Sequence, residues 1–230
     1  MSDPAAIAAN IAAVRARIAA ACQRAGRAPD SVQLLAASKF QDAAAIRAAY
    51  QAGQREFGEN YVQELAQKAA ELTDLSDLRW HLIGRLQTNK VKDVVRLGCT
   101  VQTIDSRRLC DALAQRALAA GQRAAVFLQV NVSDEPQKAG ASLADLPQLV
   151  AAARASGVLQ VRGLMAIPRP TDDEQEQRAA FQRVRELAAE LDLPEISMGM
   201  SDDLELAIAE GATLVRVGTA LFGPRPTKIP

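Results

Sequence analysis

The 230-residue chain has a single histidine, one tryptophan and three cysteines, and its 27 Lys+Arg against 27 Asp+Glu leave no formal net charge. Each scarcity closes off a class of protein. With His81 alone and no Cys cluster, the residues speak against a metal site and against a Ser-His-Asp hydrolase. A balanced charge supplies no strong field for nucleic acid or an anionic membrane, so neither is expected as a partner. Cys22, Cys99 and Cys110 are odd in number and lack CxxC spacing, which predicts buried, idle thiols in a reducing cytoplasm. The N-terminus MSDPAAIAANIAAVRARIAA carries charges throughout and has no continuous apolar core, so neither a signal peptide nor a membrane span is expected. What remains, 49% hydrophobic and 23% charged, is the composition of a soluble globular protein. At roughly 150 residues per domain the length admits one large domain or two small ones, and an α/β barrel of about 250 residues fits as one unit.

The first segment, Asp3 to about Arg24, places Ile7, Ile11, Val14 and Ile18 at helical spacing, with Ser2 or Asp3 available as a cap. From Ser31 the pattern changes to short β-prone runs separated by helical stretches. Eight such runs are present: Val32–Ser38, Glu56–Glu59, Arg79–Ile83, Thr100–Ile104, Ala124–Val130, Leu159–Ala166, Glu195–Met198 and Leu214–Val217. Helical patterns lie between them, over Ala43–Ala52, Val62–Leu72, Thr88–Leu97, Ser106–Ala120, Ser142–Ala155, Asp172–Leu191 and Asp202–Ala209. This rhythm predicts a (β/α)8 TIM-type barrel with an extra N-terminal helix. A doubly wound open sheet is the alternative, disfavoured because no GxGxxG follows the first strand. The turn clusters at Gly26–Pro29, Ser133–Gly140 and Pro168–Asp173 are short enough to be loops, so residues 1–230 read as one domain.

In a barrel the chemistry gathers at the carboxyl ends of the strands. Here those ends offer Ser38 and Lys39, Glu59 and Asn60, His81 and Gly84, Asp105, Asn131, Met165 and Pro168, Met200 and Ser201, and finally Arg216, Gly218 and Thr219. Lys39 follows the apolar run LLAAS, and desolvation at the barrel mouth favours a neutral amine, a nucleophile toward aldehydes and ketones. A lysine that ends a strand and reaches to water is the plainer alternative. Arg216 shares a strand face with Leu214, opposite Val215 and Val217, so it is expected to be buried and to need a partner, either an internal carboxylate or a ligand atom. The turn from Gly218 into Thr219 offers backbone N–H groups to an anion, and Ser201 reads as the N-cap of the helix after strand seven. Together these residues suit a ligand with a phosphate at one end and a carbonyl at the other. Pyridoxal 5′-phosphate has that shape, and a sugar phosphate on a Schiff-base aldolase fits the same outline.

At these residues the sequence resembles the pyridoxal phosphate homeostasis protein family, whose single-domain barrel is similar to the N-terminal domain of alanine racemase. The likeness is carried by LLAASK (34–39), GQREFGENYVQEL (53–65), WHLIGRLQTNK (80–90), QVNVSDEPQKAG (129–140), VRGLMAI (161–167) and SMGMSDDLELAIAEGATLVRVGTALFGPR (197–225). The resemblance implies that Lys39 carries pyridoxal 5′-phosphate covalently as a Schiff base, that Asn60 lies beside the ring and that Arg216 meets the pyridine nitrogen. It places Ser201, Gly218 and Thr219 at the phosphate, with Met200 beside them. It implies a protein that buffers, stores or delivers the cofactor, with no strong catalytic activity and with cofactor-dependent apoenzymes as the expected recipients. The expected state is a cytoplasmic monomer or weak dimer. Many relatives have Lys-Thr and a proline soon after the lysine, whereas this chain has Lys39-Phe40-Gln41, which alters the first loop.

Two physical points favour a holder over a user. An arginine at the ring nitrogen disfavours protonation there and weakens the ring as an electron sink. Racemisation needs acid-base groups on both faces of the substrate carbon, and a chain of 230 residues leaves no room for the second domain that supplies one of them in alanine racemase. A racemase or lyase, a Schiff-base aldolase and a ligand-free interaction protein stand as competitors. Trp80 and His81 are expected to pack and hydrogen-bond within strand three, Arg85, Lys90 and Lys92 to form a solvated rim, and TDDEQEQ (171–177) to be the exposed, self-capping start of a helix, with Tyr61 covering the ring as the lesser alternative for that side chain.

Overall fold

Each of the eight β-prone runs forms a strand in the computed structural model, which describes residues 3–133 and 139–223. In chain order these are β1 (Gln33–Ala37), β2 (Glu56–Glu59), β3 (Arg79–Leu82), β4 (Thr100–Ile104), β5 (Ala124–Gln129), β6 (Leu159–Met165), β7 (Glu195–Ser197) and β8 (Leu214–Val217). The helices are α1 (Pro4–Arg24), α2 (Ala43–Gln51), α3 (Val62–Glu71), α4 (Val91–Leu97), α5 (Arg107–Ala119), α6 (Leu146–Ala155), α7 (Glu174–Glu190), α8 (Leu204–Ala209) and α9 (Thr219–Phe222), with a 3-10 turn at Thr88–Lys90 before α4. Every strand pairs in parallel with its neighbours, and β1 pairs with both β2 and β8, so the sheet closes and the open-sheet alternative is wrong.

Closure divides the apolar residues into two sets. The outer strand faces, including Ala36, Phe57, Leu82, Val101, Leu128, Val215 and Val217, join the buried stripes of the helices in one continuous core. The inner faces are different. Leu35, Phe127, Met165 and Leu214 are buried apart from that core, and the rest of the interior includes the polar side chains of His81, Gln102, Ser197 and Arg216. The strands accommodate two irregularities: the β4–β5 register shifts between Val101 and Ile104, and Val126 aligns with Val161 but Phe127 with Gly163, so β6 bulges at Arg162.

The extra helix α1 starts at a cap in which Asp3 accepts from the Ala5 N–H, with Pro4 in the first turn. Its apolar stripe of Ile7, Ile11, Val14, Ile18 and Cys22 is buried, and it packs on α2, α8 and α9. By length and composition α1 also reaches what a membrane-crossing helix requires, but here that apolar side is docked on the barrel. Helix α6 starts later than its pattern suggests, at Leu146 rather than Ser142, because the Ser142 hydroxyl caps a turn by bonding the Asp145 amide and carboxylate. The acidic run before α7 behaves as expected, with Asp173 accepting from the Gln175 and Glu176 amides. Cys22, Cys99 and Cys110 are buried and unpaired, and burial pushes the Cys99 thiol up to about 12 and the Cys110 thiol to about 11. Ser2, the middle of the Ser133–Gly140 loop and the residues after Gly223 lie outside the described residues.

Candidate functional site

The carboxyl end of β1 is held by buried polar groups before it delivers Lys39. The Ser38 amide donates to the Gly58 carbonyl at 2.9 Å, its hydroxyl to Glu59 Oε1 at 2.6 Å, and its carbonyl accepts from Lys68 Nζ at 2.8 Å. Lys68, from α3, also reaches Glu59 at 2.8 Å and Glu64 at 2.7 Å. Glu59 is fully buried, and among the described residues its Oε2 has no hydrogen-bond partner. Burial pushes its carboxyl above the usual range, against the pull of Lys68 and Ser38. None of this cluster was singled out in the sequence beyond Glu59 and Ser38 as strand ends, because a glutamate and lysine nine residues apart read as ordinary surface.

After Lys39, Phe40 takes a φ of +64°, a left-handed conformation that is uncommon for a bulky residue. Glu64 Oε1 accepts the Phe40 N–H at 2.6 Å and fixes that turn, and the exposed Phe40 ring stands 6.2 Å from the ring of Tyr61. The departure at Lys39-Phe40-Gln41 therefore gives the barrel mouth an aromatic pair, with Gln41 turned into the cleft wall. Tyr61 is occupied by that pair and does not line the cleft.

At the end of β2, Asn60 is pressed against the loop after β3. A Cβ on Gly84 would lie 2.1 Å from the Asn60 carbonyl oxygen, so only glycine fits there. Beyond β7 the chain turns at Gly199, with φ +91°, and the Met200 amide donates to Asp203 Oδ1. That places Asp203, not Ser201, at the N-cap position of α8, and the sequence-based cap assignment is corrected. The reason is local: two more residues of turn precede Leu204, which buries, and the Asp203 carboxylate is the group facing the Met200 amide. Burial raises the Asp203 carboxyl above its ordinary range, against the Met200 amide and the charge of Arg216. Helix α1 braces the two last loops, with Arg17 donating to the Ser201 carbonyl at 2.9 Å and to Glu205 at 2.8 Å, and Asn10 to the Leu221 carbonyl at 3.0 Å.

Arg216 rises from β8 into the barrel and is 5% exposed. Of the two partners expected for it, the internal carboxylate does not meet it among the described residues. Nη1 donates to the Ser197 carbonyl at 2.8 Å and the Ser197 hydroxyl at 2.7 Å, and Nη2 to the Ala166 carbonyl at 2.9 Å. Burial lowers its pKa to about 10, against the attraction of Asp203, so it remains a cation at neutral pH. These bonds use the terminal nitrogens, and among the described residues Nε makes none.

Lys39, Asn60, Met200, Ser201, Arg216, Gly218 and Thr219 all line one cleft of about 330 Å³ at the carboxyl ends of β1, β2, β7 and β8. Ile83, Ile167 and Asp202, which the sequence did not suggest, complete its wall, and a hollow of about 660 Å³ adjoins it past Ile167, Met200, Asp202 and Arg216. A Cβ on Gly218 would come within 3.1 Å of the Ala37 carbonyl oxygen, so the backbone leading into Thr219 lies close against the strand that carries Lys39. His81, by contrast, is not at the mouth. It is 7% exposed and bonded within the barrel to Glu56 and Gln102. Arg85 and Lys92 are exposed, as a solvated rim should be, whereas Lys90 is half-buried. The cleft thus gathers an amine, a buried donor-only cation, two hydroxyls and a glycine turn in one small volume.

The chain is similar to known proteins of one family over nearly its whole length. The family of the alanine racemase N-terminal domain matches residues 3–226. The pyridoxal phosphate homeostasis protein of Pseudomonas aeruginosa is 51% identical over 221 residues, covering 95% of this chain and 96% of that protein. That of Escherichia coli is 44% identical, over 95% and 97%. Among solved structures, PipY of Synechococcus elongatus with pyridoxal phosphate bound superposes with a TM-score of 0.84 at 44% identity, over 94% of this chain and all of that one. Alanine racemase from Corynebacterium glutamicum shares the fold, with a TM-score of 0.72 at 18% identity, and this chain spans 64% of its length.

Proposed function

The chain belongs to the alanine racemase N-terminal domain family and, within it, to the pyridoxal phosphate homeostasis proteins, and from that premise we propose that it holds pyridoxal 5′-phosphate in the strand-end cleft with Lys39 as covalent anchor. The observation that carries this reading is the convergence of Lys39, Arg216, Ser201, Gly218 and Thr219 on one cleft. When bound, the cofactor supplies an aldehyde that condenses with a lysine amine to a Schiff base, releasing water. The chain's own residues do the rest. The Ser38–Glu59–Lys68 cluster fixes the end of β1 and so aims Lys39. The turns at Ser201 and at Gly218–Thr219 present hydroxyls and backbone N–H groups to the phosphate, Met200 flanks them, and Asn60 flanks the ring.

Arg216 decides what kind of protein this is. A guanidinium can only donate, so its Nε–H suits a ring nitrogen without a proton, and a second proton between two cations would be unfavourable. A ring held in that form is a poor electron sink, which supports buffering, storage or delivery of the cofactor over catalysis. Cofactor-dependent apoenzymes are the natural recipients, from a monomer or weak dimer in the cytoplasm, a setting in keeping with three buried, unpaired thiols.

Absorption in the visible range tests the reading. Protein incubated with pyridoxal phosphate should gain a band that Lys39→Ala abolishes, and borohydride should fix the cofactor to the tryptic peptide containing Lys39. A colourless preparation, or a band unchanged in Lys39→Ala, sinks it. Turnover of a free amino acid that disappears with Lys39→Ala would replace the holder by a racemase or lyase, and a sugar phosphate trapped on Lys39 would replace it by an aldolase.

A further inference from the structure

The barrel interior contains one continuous line of side-chain hydrogen bonds drawn from five strands. Arg216 Nη1 on β8 meets Ser197 Oγ on β7 at 2.7 Å, and Ser197 Oγ meets Gln102 Oε1 on β4 at 2.7 Å. Gln102 Nε2 meets His81 Nδ1 on β3 at 2.9 Å, and His81 Nε2 meets Glu56 Oε2 on β2 at 2.9 Å. Gln102 and Ser197 are fully buried, and the Glu56 side chain, which also takes the exposed Arg79 on its other oxygen, is 12% exposed.

Arg216 can only donate and the Glu56 carboxylate can only accept, which sets a direction along the line between them. Arg216 has no acceptor, so the Ser197 oxygen accepts and its one hydrogen goes on to Gln102. Gln102 presents its carbonyl to Ser197 and its amide to His81. The His81 Nδ1 accordingly accepts, and its Nε2 carries the hydrogen that Glu56 receives. Burial opposes ionisation of Glu56, but the His81 N–H and Arg79 outweigh it and hold the carboxyl below its ordinary range. A buried cation and a carboxylate on different strands are therefore joined through a serine, a glutamine and a histidine.

Resting on the cofactor reading above, we propose that Glu56, His81, Gln102 and Ser197 are positioning residues for Arg216: the line ties down Nη1, as the Ala166 carbonyl does Nη2, and leaves Nε to meet the cofactor's ring nitrogen. None of the four lines the cleft, so their effect must pass through the arginine. Other buried polar residues have local partners, as Gln54 does in the Leu34 and Glu56 carbonyls. This line alone crosses the interior to a cleft residue among the described residues.

His81 makes the proposal directly measurable, because the chain has a single histidine. Nitrogen-15 NMR of cofactor-free protein should show a protonated Nε2 and a lone pair on Nδ1 at neutral pH, and the opposite tautomer overturns the proposal whether or not pyridoxal phosphate ever binds. With pyridoxal phosphate bound, Ser197→Ala should shift both His81 ring signals and release the cofactor about tenfold faster, the effect of one lost hydrogen bond to a charged group. Ser197→Thr, which keeps the hydroxyl, should restore both. Unchanged ring signals and an unchanged release rate in Ser197→Ala overturn it, even if the wild-type protein binds the cofactor normally. Failure of the wild type to bind pyridoxal phosphate would instead defeat the cofactor reading while the tautomer result stands by itself.

Discussion

Lys68→Ala should lose about 3–5 kcal/mol of stability at neutral pH, the range for removing one partner of a buried ion pair. The reason lies with what is left behind. Glu59 is fully buried, already has one oxygen without a partner, and would retain only the Ser38 hydroxyl. Its carboxyl stands above the ordinary range in the folded protein, so the sign of the pH effect follows. A carboxyl with a raised folded pKa favours the folded state at low pH and loses that advantage as pH rises through the folded value. Removing Lys68 raises it further, so the gap between variant and wild type is widest near pH 7 and narrows toward about pH 4, where the group is protonated in folded and unfolded chains alike. Urea titrations at several pH values measure this. A gap independent of pH would refute the account, and adding Glu59→Gln should recover most of the loss by removing the orphaned charge.

Gly163→Ala should be at least as damaging, at about 3 kcal/mol or more, the upper end for overpacking. An added Cβ would lie 1.8 Å from the Glu195 carbonyl oxygen and 2.5 Å from its carbon. Both are backbone, in a β7 of three residues that cannot step aside without breaking its pairing to β6 or β8. The damage should also reach the cleft, because Ser197 and Ala166, which hold Arg216, lie just beyond on the same two segments and bond each other at 3.0 Å. Gly157→Ala is the control. Gly157 has φ +69° but open space around it, so only the conformational cost of about 1–2 kcal/mol applies. Equal thermal shifts in the two variants would show that the close approach of β6 to β7 is not what matters.

These two positions mark the limit of what the sequence discloses. The strands were legible because β-branched and aliphatic runs alternate with helical periods, and Leu214-Val215-Arg216-Val217 even disclosed that Arg216 faces inward. That Lys39 and Gly218–Thr219 line the cleft was legible because strand ends form the mouth of a barrel. The Ser197–Gln102–His81–Glu56 line was not, because its members lie on four strands, and a serine, a glutamine and a glutamate each look unremarkable alone. Their meaning arises only when the sheet curls and brings β4 opposite β7. Ser201 was misread as a cap for a related reason: three polar residues precede Leu204, and spacing alone cannot say which of them turns toward the backbone.

The clamp that α1 places on the last loops has a bearing on timing. Its bonds join residues 184, 188 and 211 positions apart, Arg17 to Ser201 and Glu205, and Asn10 to Leu221. Contacts this remote cannot form early, since each requires closure of nearly the whole chain, and so does the pairing of β1 with β8. Lys39 emerges from the ribosome long before the turns that would grip a phosphate exist. If Lys39 is the anchor proposed above, a nascent chain would carry it with no pocket around it, and selective capture of the cofactor would begin only once synthesis has passed β8.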